Sequence, residues 1–216
     1  MLVSITALLP LTLPTLAASV APAPRALTSF ASVSDDDLVR RAQGGDRWAE
    51  EALYRKHVQY VGRIASRLSS NSSEVDDILQ ETFAIALEQL SSLRNGSAFR
   101  PWLAQIAVSQ VRRRLRRQKL LRVLGFVDRV DEHSFESHAS DAANGEVRAE
   151  LAALGRVLES LPSEQRIAWV LRYAEGEAND DVARACGCSL ATAKRRIAAA
   201  DARVRAHVQI TEDAHG

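Results

Sequence analysis

The sequence predicts an all-α chain: two small helical domains joined by an acidic flexible linker, the second carrying a helix-turn-helix. Three observations predict it. Apolar residues recur at three- and four-residue spacing through nearly every long segment. The run 125–150 breaks that rhythm and carries seven acids against Arg129 and Arg148. Near the end of the chain, two helix-period segments flank a tight glycine turn, the pattern of a helix-turn-helix. At 216 residues there is room for two small domains with a core each.

Residues 1–33 are expected to be a disordered N-terminal extension. Pro10, Pro14, Pro22 and Pro24 break any helix and argue against a membrane span. The apolar run superficially resembles a secretory signal, but no Lys or Arg precedes it. The segment also reads as sequence upstream of the true start, with Val33 as a candidate. The first helical domain is placed at 34–122. Ser34-Asp35-Asp36-Asp37 has the form of a capping box and Leu38 opens the helix. Gly44-Gly45-Asp46 interrupts it. Trp48, Ala52, Leu53, Val58, Val61, Ile64, Ala65 and Leu68 then carry the helical period to the turn at 69–73.

A second capping box is expected at Ser73 and Asp76. The helix after it should turn Val75, Ile78, Leu79, Phe83, Ala86, Leu87 and Leu90 inward and Asp76, Asp77, Gln80, Glu81 and Glu88 mostly outward. Asp77 and Glu81 stand i,i+4, a spacing permissive for a metal. No glycine-rich phosphate loop, His ligand or third convergent carboxylate accompanies them, so a solvated or protein-docking face is the better reading.

The stretch that organises the chain is 97–122. Pro101 suits a first helical turn, and Leu103, Ile106, Ala107, Val111 and Leu115 form an apolar stripe. Between Arg100 and Arg122 there are eight basic residues and no acid. Arg112 and Arg116 fall on one flank, Arg113 and Arg117 on the far side. Like charges at i,i+4 repel, so such a helix asks for a polyanion, and nucleic-acid phosphates are the obvious one. A merely solvated basic face is the bland alternative. Phe99 and Trp102 at its start suit either stacking on unpaired bases or a core. The chain's net charge is only +1, which excludes a protein that coats DNA by overall charge.

The linker is expected at 123–147 and the second domain at 148–209, with a tail at 210–216. Leu151, Leu154, Val157, Leu158 and Leu161 make one stripe. After Pro162-Ser163, Ile167, Ala168, Val170, Leu171 and Tyr173 make another, ended by Gly176 as a C-cap. A short helix burying Val182 and Ala183, a turn at Gly187, and a helix capped by Ser189 follow. Leu190, Ala193, Ile197 and Ala200 face in, while Thr192, Lys194, Arg195 and Arg196 point outward, as a recognition helix does. A plain helical hairpin is the alternative. Cys186 and Cys188, one residue apart, are too close for an ordinary disulfide, and no histidine spacing completes a zinc site. Both read as core or turn residues of a reducing compartment. No metal, cofactor or catalytic constellation is expected.

LYRKHVQYVGRIASRL, DDILQETFAIALEQL and FRPWLAQIAVSQ with its arginines resemble the first conserved domain of bacterial sigma factors of the extracytoplasmic-function (ECF) group. LPSEQRIAWVLRYAEG and DDVARACGCSLATAKRRIAAADARVR resemble their second. The match spans about 35–120 and 150–208, in order. It implies a non-enzymatic, cytoplasmic subunit that binds core RNA polymerase and promoter DNA and is held by an anti-sigma factor. In that resemblance Asp77, Gln80, Glu81 and Phe83 dock on polymerase. Asn95, Arg100, Trp102, Arg112, Arg113, Arg116 and Arg117 belong to the region that opens the −10 element. Ser189, Thr192, Lys194, Arg195 and Arg196 belong to the reader of the −35 duplex. The chain departs from the family at Ser109 and Arg113, where Asn and Asp are usual, at Ala178–Asp181, and at Ala193. Two other readings stay open: a helix-turn-helix regulator acting without polymerase, and a metal-dependent nuclease using Asp76, Asp77 and Glu81.

Overall fold

The computed structural model describes residues 33–69, 71–124 and 145–215, as backbone only at 122, 145–151 and 208–215. Every regular element among them is helical: α1 (Asp35–Gln43), α2 (Arg47–Leu68), α3 (Ser72–Glu88), α4 (Phe99–Val123), α5 (Gly145–Ser160), α6 (Ser163–Trp169), α7 (Asn179–Ala185) and α8 (Leu190–His215). Single 3₁₀ turns at Leu90–Ser92 and Gly96–Ala98 lead from α3 into α4. A π-helical turn, Val170–Ala174, continues α6. The extension at 1–32 and most of the linker lie outside the described residues.

Local chemistry sets the helix starts. Ser34 Oγ accepts from Asp37 N at 3.1 Å, as the capping box requires. Asp46 ends the glycine break by capping α2, its carboxylate accepting from Trp48 N and Ala49 N. The second box differs from expectation. Asn71, not Ser73, caps α3, its Oδ1 accepting from Ser73 N at 3.0 Å. Asn is at least as good a cap as Ser, and starting two residues earlier gains the Val75 N to Asn71 O bond at 3.3 Å.

In the first unit, α1 to α4 close on Leu38, Leu53, Ile64, Leu68, Ile78, Phe99 and Leu103, all at most 1 % exposed. Gly96 is where the turn before α4 meets α1: a Cβ there would lie 2.6 Å from Asp36 Cα. In the second, α5 to α8 and the π turn bury Leu158, Ile167, Leu171, Val182, Ala193 and Ala200. Two apolar positions turn outward against expectation, Leu87 at 41 % and Tyr173 at 49 % exposed. The helical period places them at the edge of the apolar stripe, where the Tyr173 ring still packs on Trp169, centres 5.3 Å apart. With no Pro or Gly between 190 and 215, α8 runs on to His215.

The two units pack against each other, α7 and α6 lying on α4 and the π turn on α2. Arg166, buried in the second unit, donates to Leu68 O at the end of α2.

Candidate nucleic-acid interface

The basic side chains expected to meet DNA lie on two helices, α4 and α8. On α4 the apolar stripe anchors one side: Leu103 and Ala107 are fully buried and Val111 nearly so. Arg113, Arg116 and Arg117 stand exposed on the other, with Arg116 Nε reaching back to Arg112 O at 3.3 Å. On α8 the start is fixed by Ser189, whose Oγ accepts from Thr192 N at 3.2 Å. Before it Gly187, at φ 58°, makes the turn out of α7. Val182, Ala183, Ala193 and Ile197 lock the two helices together, which leaves Lys194 and Arg195 exposed and Thr192 and Arg196 half-buried. This is helix-turn-helix geometry with its polar face outward.

Other expected site residues are held differently. Asn95 is exposed, but its Oδ1 caps the turn before α4, accepting from Ser97 N at 3.0 Å. Trp102 is half-buried beside the buried Phe99, ring centres 5.9 Å apart. On α3, Asp77 and Gln80 are exposed and Glu81 half-buried. Phe83 is buried, edge-on to Tyr54 at 4.7 Å, and so lies beneath that face rather than on it. Arg114 lies against the Asp77–Glu81 pair, at 3.6 Å from Asp77 and 3.3 Å from Glu81. A guanidinium there opposes a cation. Among the described residues no group of three His, Cys, Asp or Glu side chains could hold a metal.

Part of the basic charge on both helices is paired with acids. Arg112 is bidentate to Glu164, Nε to Oε1 and Nη2 to Oε2 both at 2.7 Å, and also donates to Cys186 O at 2.8 Å. Arg196 of α8 makes an ion pair with the same Glu164 at 2.9 Å. Burial works to raise the Glu164 pKa, but the Arg112 hydrogen bond and the charges of Arg112, Arg196 and Arg116 outweigh it and hold the carboxyl below its ordinary value. Arg100 donates to Glu177 at 2.7 Å and lies 4.3 Å over the Tyr60 ring, whose hydroxyl donates to the same carboxylate at 2.8 Å. Burial first, and then Glu177, push the Tyr60 pKa up. Arg63 and Arg67 of α2 grip Glu175 at 3.0 and 2.5 Å.

Sequence reasoning missed Glu164, Glu175, Glu177, Arg63 and Arg67. Their partners lie 32 to 117 residues away, beyond any spacing rule. Both cysteines are free, and burial pushes the Cys186 thiol up to about 11, keeping it protonated at neutral pH.

Comparison with known proteins identifies the two units. Residues 53–121 match the family model for sigma-70 region 2, and 151–203 that for sigma-70 region 4. The ECF RNA polymerase sigma-E factor of Escherichia coli (strain K12) is 33% identical over 171 residues, covering 76% of this chain and 89% of that protein. The sigma factor NccH of Alcaligenes xylosoxydans xylosoxydans is 31% identical over 180 residues, covering 82% and 96%. The fold matches CnrH, solved with the cytosolic domain of CnrY (TM-score 0.61, 22% identity, 82% of this chain and 99% of that one). It also matches the Bartonella quintana sigma factor RpoE, solved with the anti-sigma factor NepR (TM-score 0.61, 22% identity, 74% and 96%). With both sigma regions present in order and a third of the sequence shared across most of its length, the chain belongs to the ECF group of RNA polymerase sigma factors.

Proposed function

We propose that this sigma factor docks on core RNA polymerase through the α3 face bearing Asp77, Gln80 and Glu81, with Phe83 supporting it from beneath. It opens the −10 element with α4 and the turn before it, and reads the −35 duplex with α8. On this reading residues 34–122 form the docking and −10-opening domain and 148–209 the −35-binding domain. The working set on α4 is Arg100, Trp102, Arg112, Arg113, Arg116 and Arg117, with Asn95 shaping the turn before it. Ser189 positions α8, and Thr192, Lys194, Arg195 and Arg196 face the major groove. Phosphate contacts set affinity, and base-edge contacts set sequence.

What supports this reading is a pair of basic runs, one per unit, 112–119 on α4 and 194–196 on α8, on a chain whose net charge is only +1. The exposed part of that charge, Arg113, Arg116 and Arg117 on α4 and Lys194 and Arg195 on α8, is where phosphates would lie. The protein makes and breaks no bond; catalysis belongs to polymerase. It works in the cytoplasm, where its promoters are, and among the described residues no helix is long and apolar enough to cross a membrane. An anti-sigma factor is the expected partner that holds it inactive, by analogy with the sigma factors solved in such complexes.

Binding to purified core RNA polymerase, followed by transcription from a genomic-fragment library, tests this reading. Tight binding with new, sequence-related start sites is expected. Duplex binding without polymerase binding would move the protein to a stand-alone helix-turn-helix regulator.

A further inference from the structure

The arginine run of α4 does not face one way. Arg113, Arg116 and Arg117 are exposed, whereas the Arg114 side chain is only 14 % exposed and turns toward α3. There it meets two carboxylates of the proposed polymerase-docking face. Its Nη1 and Nη2 donate to Glu81 Oε2 and Oε1, each at 3.3 Å, and Nη2 lies 3.6 Å from Asp77 Oδ2. One turn further along α4, Gln118 Nε2 donates to both oxygens of Glu74 at 2.9 Å. Glu74, Asp77 and Glu81 stand at i, i+3 and i+7 on α3, so Arg114 and Gln118 brace a single acidic stripe from its inner side.

We propose that Arg114 is a positioning residue for polymerase docking. It holds Asp77 and Glu81 in the arrangement that a donor-bearing, basic surface of core RNA polymerase meets, and it is not one of the arginines that contact DNA. The inference rests on the assignment of the α3 face to docking. Repulsion supplies the first argument. Two carboxylates four residues apart on a helix push each other away, and free in water each would spread over several rotamers. A planar guanidinium between them removes the repulsion and fixes both. Side chains ordered before the encounter need not be ordered during it, which favours binding.

Access supplies the second argument. The Asp77 side chain stays 64 % exposed and that of Glu81 44 % despite the contact. An ionised carboxylate can accept at about four sites; Arg114 takes one on each Glu81 oxygen and lies beside one oxygen of Asp77. The remaining sites are open to a partner arriving from solvent, while the space between the two acids, where a metal would sit, is filled. Arg114 itself is too deep to offer its fork to a phosphate outside the helix. Nor does the fold hang on it: α3 and α4 pack on each other and bury Ile78, Leu103 and Ala107 completely.

The test uses the full chain and Arg114→Met, which keeps the length of the stem and a good helix former but removes the fork. Affinities for purified core RNA polymerase and for a promoter duplex are read by fluorescence anisotropy. The expected result is polymerase binding weaker by at least about fivefold, with duplex binding within about twofold of the wild type. Unchanged polymerase affinity overturns the proposal, and so does an equal loss on the duplex. A cycle with Asp77→Asn/Glu81→Gln separates positioning from mere bracing. If Arg114 acts through these acids, Arg114→Met should cost less than about twofold once they are neutral. The same loss in both backgrounds overturns the proposal. Should Arg114→Met lose helicity by circular dichroism, Arg114→Lys takes its place. A point charge without the fork should weaken polymerase binding by at least about twofold, and wild-type affinity would overturn the proposal. The underlying assignment is checked by the cycle itself: if Asp77→Asn/Glu81→Gln binds polymerase as tightly as the wild type, the docking reading of α3 fails. If it binds more weakly while Arg114→Met does not, only the positioning role fails.

Discussion

Arg112 and Arg113 are neighbours on α4 and differ in everything but sequence. Arg112 holds Glu164 through two 2.7 Å bonds and Cys186 O through a third; Arg113 is exposed on the outer face. A rotation of about 100° along the helix turns one side chain toward the second unit and the other toward solvent. The same division recurs on α8, where Arg196 reaches Glu164 and Arg195 does not. Each basic helix thus has a tethered flank and an open flank. The open flanks face solvent, whereas the tethered arginines already hold a carboxylate. Charge count alone treats both as one patch.

The largest effect expected is one that erases the difference. Leu103 is fully buried under both flanks of α4, and Leu103→Ala should cost about 2–5 kcal/mol of stability in urea unfolding. A loss under ~1 kcal/mol would mean that α4 is not anchored as described. Next come the open flanks. Lys194→Ala or Arg195→Ala should weaken −35 duplex binding by about 1–3 kcal/mol for whichever residue reaches a base. Arg113→Ala/Arg117→Ala should lower affinity for all sequences and flatten the salt dependence by about two phosphate contacts. Equal losses on every duplex for Lys194 and Arg195 would reduce α8 to a phosphate binder.

The tethered flank should show itself in stability instead. Arg112→Ala leaves Cys186 O and half of Glu164 without a donor and should cost about 1–3 kcal/mol, whereas Arg113→Ala should stay within ~0.5 kcal/mol. Matching denaturation midpoints for the two variants would dissolve the comparison. The smallest effect expected is on pH. Because the folded Glu164 carboxyl is held below its ordinary value, its contribution is present at neutral pH and lost as pH falls through that lowered value. Stability of the wild type should therefore drop more than that of Glu164→Gln on acidification below about pH 4.3. Parallel curves would show that the ties of Glu164 to Arg112 and Arg196 add nothing.

Much of this was legible in the residues. The period of apolar side chains gave α2, α3 and α4 and their inward faces because burying one stripe is a local demand on the helix that carries it. Ser34, Asp46, Gly176, Gly187 and Ser189 marked their breaks because caps and left-handed turns depend on the residue itself. Where two residues compete for one local job the reading slipped, as when Asn71 displaced Ser73. Where an outcome depends on what packs opposite it failed, as at Leu87 and Tyr173. The basic residues of α4 and α8 were legible as candidates, and Thr192, Lys194 and Arg195 by their place after a capped turn. Which of the arginines were already engaged was not.

By itself, then, the sequence determined the helices, their punctuation, the order of the two sigma regions and the basic runs at 112–119 of α4 and 194–196 of α8. All of these rest on neighbours within a few residues or on residue identity alone. Only the tertiary structure decided that Glu164 reaches both Arg112 and Arg196, that Glu175 sits between Arg63 and Arg67, and that Glu177 takes Arg100 and Tyr60. The physical reason is range. Helix propensity and capping act along the chain, whereas an ion pair acts across a few ångströms of space between residues that the sequence sets 32 to 117 positions apart.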